Sequence, residues 1–166
     1  MKRLGLLILA TCVLAAGCGD DDNGTGPSGA PVVFTARLLP ANEVPPVGNA
    51  ESGGSGNVQI TFEGTGAAVA SFHFQLTGFP AGTTVVGAHI HPGAAGVNGP
   101  VVVNTGVTAA APVTVTEGIT SFTASNINVS AETAQAIINN PAGYYFNVHS
   151  PLNPGGFARG QLVRIQ

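Results

Sequence analysis

Asn57-Val58-Gln59-Ile60-Thr61-Phe62-Glu63, then Gly64-Thr65-Gly66, then Ala67-Ala68-Val69-Ala70-Ser71-Phe72-His73-Phe74-Gln75-Leu76: this stretch decides the fold class. Val58, Ile60 and Phe62 alternate with Gln59, Thr61 and Glu63. Successive side chains of a strand point to opposite faces, so this period of two makes one apolar and one polar face. Ala70, Phe72, Phe74 and Leu76 repeat the pattern after the glycine turn. The two runs predict a hairpin, with His73 on the solvent side beside Gln75.

The same signal recurs on either side. Residues 33–38, 85–91, 101–103, 113–115, 119–123, 144–149 and 158–165 are further expected strands. Residues 40–46 carry paired prolines, which exclude a central strand, and 48–56 are a Gly- and Ser-rich turn region. Ser130 is a good N-cap, Glu132 sits in the first turn, and Ala131, Ala134, Ile137 and Ile138 form a helical stripe ended by Asn139-Asn140-Pro141. The expectation is an all-β fold, an antiparallel β-sandwich or barrel of about eight strands with one short helix near 130–139.

The 166 residues divide into three parts. Residues 1–17 read as an export signal, with Lys2 and Arg3 before an apolar run from Leu4 to Leu14. Ala15-Ala16-Gly17-Cys18 resembles a lipobox, in which Cys18 becomes the lipidated first residue. The apolar run is shorter than the ~20 residues a spanning helix needs. Residues 18–31 have almost no apolar side chain and are expected to be a disordered tether. Residues 32–166 form the β domain. The expected location is exported and membrane-anchored, in a periplasm or on a cell surface.

Composition removes several functions. From Cys18 onward the chain has no lysine and only three arginines against eight carboxylates, a net charge of −5 with neutral histidines. Nucleic acid needs several phosphate-neutralising cations, so it is excluded as a partner. Schiff-base chemistry is excluded with the lysines. Cys12 leaves with the signal, so no internal disulfide supports the domain and packing must stabilise it. No nucleophile elbow, paired carboxylates or phosphate cradle is present.

The chemistry concentrates in two strands. His89 and His91 share one face of 85–91, opposite Ala88 and Ile90; Asn147 and His149 share one face of 144–149, opposite Phe146 and Val148. Two readings stand side by side. In one, His89, His91 and His149 are ligands for Zn²⁺ or Cu²⁺, because neutral imidazole is the commonest metal ligand and His-x-His on a strand puts two donors on one side. In the other, His89 and His91 hydrogen-bond backbone or Asn147 and fix loop 92–100 to the sheet. Glu43 and Arg159, from opposite ends of the domain, are expected to meet as a clasp, since a buried arginine needs an acceptor.

Three segments resemble the chordin-type (CHRD) domain family: Asn42-Glu43-Val44-Pro45-Pro46-Val47; His89-Ile90-His91 followed by Gly96-Val97-Asn98-Gly99-Pro100-Val101-Val102; and Tyr145-Phe146-Asn147-Val148-His149-Ser150 with Arg159-Gly160-Gln161-Leu162. They occur in the family's order across nearly all of the domain. One departure is Phe157, where the family commonly has glutamate. Asn98, Gly99 and Asn147 are further candidate residues, for the loop beside the histidines, and the resemblance implies an extracytoplasmic β domain. Residues 76–91 are also similar to the strand-entry segment of copper–zinc superoxide dismutase, but that family's disulfide pair and bridging histidine are absent. The expected function is non-catalytic binding of an unknown protein or cell-surface ligand. The alternative is a metal domain, dismutase-like or otherwise, built on His89, His91 and His149.

Overall fold

The structure is a computed structural model and describes residues 29–116 and 118–166. The export signal, Cys18 and most of the tether lie outside the described residues. Among these residues, eleven strands and one α-helix follow in order: β1 Val32–Leu38, β2 Ser55–Glu63, β3 Ala68–Thr77, β4 Thr84–Val85, β5 Gly87–Pro92, β6 Val103–Asn104, β7 Val113–Thr114, β8 Ile119–Val129, α1 Ala131–Asn139, β9 Tyr144–His149, β10 Ala158–Gln161 and β11 Val163–Arg164. The architecture is all-β, with antiparallel sheets packed as a sandwich. Eleven strands replace the expected eight or so because several are two-residue ladders at the rims.

One sheet has the order β11-β1-β2-β3-β8 and the other β10-β9-β5-β6; β4 and β7 form a small third ribbon. The hairpin expected at 57–76 is β2–β3, with Val58 opposite Phe74 and Ile60 opposite Phe72. Its apolar face and the inner face of the second sheet bury each other. Phe146 of β9 lies 5.9 Å from both Phe72 and Phe74, ring centre to ring centre. Phe34, Leu38, Ile90, Val148 and Phe157 are also buried in this core. Burial of one large apolar side chain is worth about 1.5–3 kcal/mol, so the interlocked phenylalanines fix which face of β5 and β9 turns inward. Their other face is thereby assigned to the histidines.

Three details depart from the sequence expectation. β8 runs to Val129, well past residue 123. Beyond that residue Ser125-Asn126 form a bulge opposite β3, where the register shifts between Ala70 and Phe72 and Asn126 takes φ 59°. Asparagine tolerates that left-handed conformation, so the bulge bends the strand without ending it. The expected strand 158–165 splits at Leu162: β10 pairs with β9 in one sheet and β11 with β1 in the other. The 85–91 strand likewise breaks between β4 and β5. The helix is as expected, with the Ser130 hydroxyl accepting from Thr133 N at 3.2 Å.

Candidate metal centre

Register places the polar side chains of β5, β9 and β10 on the outer face of their sheet. His89 lies opposite Asn147, and Asn147 opposite Arg159; His91 lies opposite Tyr145, and Gly87 opposite His149. The pairing brings three imidazoles together. Ring centres are 5.0 Å apart for His89 and His149, 5.7 Å for His91 and His149, and 5.7 Å for His89 and His91.

Each ring contributes one potential ligand nitrogen to a group whose atoms all lie within 4.8 Å of one another. A point between atoms so spaced is roughly 2.8 Å or less from each, against about 2.0–2.1 Å for a zinc–imidazole bond. Nδ1 of His91 donates to Gly99 O and Nδ1 of His149 to Pro154 O, each at 3.0 Å. Those bonds put the proton on Nδ1 and leave the lone pair on Nε2. Nε2 of His91, Nε2 of His149 and Nδ1 of His89 are buried without a hydrogen-bond partner. An imidazole held by a carbonyl on one nitrogen, with its other nitrogen free, is the usual arrangement of a metal-ligating histidine. The loop-fixing role therefore falls to one nitrogen of His91, and the other stays available.

Electrostatics keep the rings neutral. Burial, with His149 and His91 as near neighbours, lowers the pKa of His89 to about 4. Burial also lowers His91 and His149, against the opposing effect of their carbonyl partners. Neutral imidazole is the form that binds metal, so three lone pairs are available at neutral pH.

Gly87 makes room for the cluster. A Cβ there would stand 2.9 Å from His89 Cε1 and 3.4 Å from His149 Cδ2. Sequence reasoning missed this residue. Its place two positions before His89, on the same strand face, was the available signal. Tyr145 is the second addition: its ring stacks on His91 at 5.0 Å and 6°, and its hydroxyl accepts from Gly99 N at 3.1 Å.

Arg159 is 1 % exposed and spans three segments. Nε donates to Asn42 O at 2.6 Å and Nη1 to Asn98 Oδ1 at 2.7 Å, while the guanidinium lies 4.5 Å over the Tyr145 ring. Asn42 Nδ2 returns a bond to Arg159 O. Asn98 Nδ2 donates to Val44 O, so Arg159 and Asn98 together tie loop 92–100 to residues 42–44. Glu43 is buried nearby, but no hydrogen bond joins it to Arg159; its Oε1 is unpartnered. Burial raises its pKa to about 7, with Arg159 and Asn147 opposing the rise. The first loop and last strands thus meet through Asn42, one residue from the acid. Asn147 Nδ2 donates to Gly155 O at 3.4 Å. His73 stands on the exposed face of the other sheet, bonded to Thr123 and away from the cluster.

No curated protein and no solved structure matches the chain. The family model of the CHRD domain matches residues 34–162, from the first strand to the end of the Arg159 segment. That span takes in all three histidines, Glu43, Asn98 and Arg159, and the chain belongs to the CHRD domain family.

Proposed function

We propose that this protein is an exported, lipid-anchored binding domain whose ligand is a transition-metal ion, Zn²⁺ or Cu²⁺, held by His89, His91 and His149. One observation carries the reading: three imidazoles, each with a buried nitrogen that has no partner, bring one potential ligand nitrogen apiece within 4.8 Å of one another, while two of the rings are oriented through Nδ1 by carbonyl groups. Orphaned buried polar atoms cost about 1–3 kcal/mol each, and a bound cation would satisfy all three at once. Three neutral nitrogen ligands suit Zn²⁺ and Cu²⁺ and leave a coordination position for an exogenous donor. Membership of the CHRD family supports an extracytoplasmic binding role, and Cys18 would fix the domain to a membrane through residues 19–31.

Equilibrium dialysis against Zn²⁺ and Cu²⁺, with bound metal counted by mass spectrometry, should give one ion per chain. His91→Ala should abolish it. Failure of the wild type to retain stoichiometric metal at neutral pH defeats the reading. For the anchor, Cys18→Ser should move the protein from the membrane fraction to the soluble fraction.

A further inference from the structure

Glu51 is a third buried ionisable side chain near the site, after Arg159 and Glu43, and neither the metal ligands nor the Arg159 network accounts for it. It is 4 % exposed and sits in a single 3-10 turn, Ala50–Gly53, just before β2. Its Oε2 accepts from Ser150 Oγ at 2.7 Å and from Asn153 Nδ2. Both donors belong to the loop that follows β9, about a hundred residues further along the chain. The turn is itself anchored, since Asn49 Oδ1 accepts from Glu51 N at 3.0 Å and the Asn49 and Asn153 side chains bond each other at 2.9 Å.

The donors are not free surface groups. Asn153 N donates to Ser150 Oγ, and Asn153 O accepts from both Ser150 N and Gly156 N. Residues 150–156 are thus a closed turn with Glu51 as its external fastening. The turn presents Pro154 O to His149 Nδ1 and Gly155 O to Asn147 Nδ2. Moving the turn moves the carbonyl that sets the protonated nitrogen of His149.

We propose that Glu51 is a positioning residue for the three-histidine centre: its carboxylate holds the 150–156 turn, and the turn fixes the tautomer and orientation of His149. The inference rests on the metal reading above only for its consequence on affinity; its effect on the His149 ring exists without metal. A carboxylate buried among neutral donors makes charge-assisted bonds worth roughly twice neutral ones, which is a reason for glutamate at this place. Partners outside the ligand shell typically alter metal affinity by about 10- to 100-fold.

The test measures two things on Glu51→Ala and on Glu51→Gln. The first is the histidine tautomers of the metal-free protein, from long-range ¹⁵N–¹H correlation spectra. The second is Zn²⁺ affinity by competition with a chromophoric chelator. In Glu51→Ala, His149 should lose its pure Nδ1–H signature while His91 keeps its own, and affinity should fall about 10- to 100-fold. Glu51→Gln keeps an acceptor oxygen of the same reach but loses the charge; if the alanine variant fails to fold, it carries the test, with a measurable second His149 tautomer expected. A folded variant whose His149 spectrum matches wild type overturns the inference. A wild type that binds no zinc, yet whose His149 tautomer changes in the variants, defeats the metal reading and leaves the positioning role standing.

Discussion

The two loops that flank the histidines do the same work with opposite charges. Loop 92–100 ends on Gly99 O against His91, and it is held by the Arg159 guanidinium through Asn98 and by the Tyr145 hydroxyl. Loop 150–156 ends on Pro154 O against His149, and it is held by the Glu51 carboxylate through Ser150 and Asn153. In both, a buried charge meets neutral hydrogen-bond partners, and the product is one oriented imidazole. The arms differ in where the charge is seated. Arg159 lies in β10, ordered by the sheet and joined to Leu39 by main-chain hydrogen bonds. Glu51 lies in a single turn with no ladder behind it. The sheet-borne arm carries structure as well as orientation; the turn-borne arm carries orientation.

That contrast sets an order of effects. Arg159→Ala should be the largest, since it leaves Asn42 O and Asn98 Oδ1 without their donor and opens space beside Tyr145. A loss of about 3 kcal/mol in urea unfolding is expected. A cost under about 0.5 kcal/mol, the size of an ordinary surface change, would show that the sheet-borne arm holds nothing.

Gly87→Ala attacks the centre itself without touching either arm. Its methyl meets the His89 and His149 rings, so Zn²⁺ affinity should fall about tenfold or more, in line with an overpacking cost of about 1–3 kcal/mol. Unaltered affinity would mean that the rings are free to move apart.

The pH dependence separates the histidines from Glu43. All three histidines have pKa values below the ordinary 6.5, so the unfolded chain binds protons that the folded one refuses. Metal-free stability should therefore hold above pH 6.5 and decline as pH falls toward about 4, where His89 titrates. His89→Gln should flatten that decline, as followed by the urea midpoint at several pH values.

Glu43 has the opposite sign and a smaller effect. Raised to about 7 from 4.5, it keeps a proton that the unfolded chain releases, so its contribution is full below pH 4.5 and is lost as pH rises through 7. Glu43→Gln should match wild type near pH 4.5 and exceed it in thermal stability at pH 8. A variant less stable than wild type at pH 8 would show an ionised, well-paired Glu43.

The order in which these residues could be found follows the same contrast. Alternation in β2, β3, β5 and β9 revealed the core and the histidine face, because a strand's period of two exposes its burial directly. Arg159 and Asn98 were visible through the family's motifs, Arg159 also as half of an expected clasp. Glu51 was not, since it lies in a Gly- and Ser-rich stretch that reads as a plain turn, and its partners are about a hundred residues away. Gly87 was missed for a related reason: its place two before His89 was legible, but half of its importance comes from the His149 ring opposite, which only the register of β5 against β9 supplies. The bulge at Asn126 and the split at Leu162 were hidden because local sequence shows a strand's composition but not which sheet will claim it.

The most direct test is crystallographic: anomalous difference maps at the zinc edge from zinc-loaded crystals. A single strong peak is expected about 2.0–2.1 Å from one ring nitrogen of His89 and from Nε2 of His91 and His149, with Gly99 O and Pro154 O still on the opposite nitrogens of the latter two. A peak bound elsewhere, or no peak among these rings in crystals soaked with excess zinc, would contradict it.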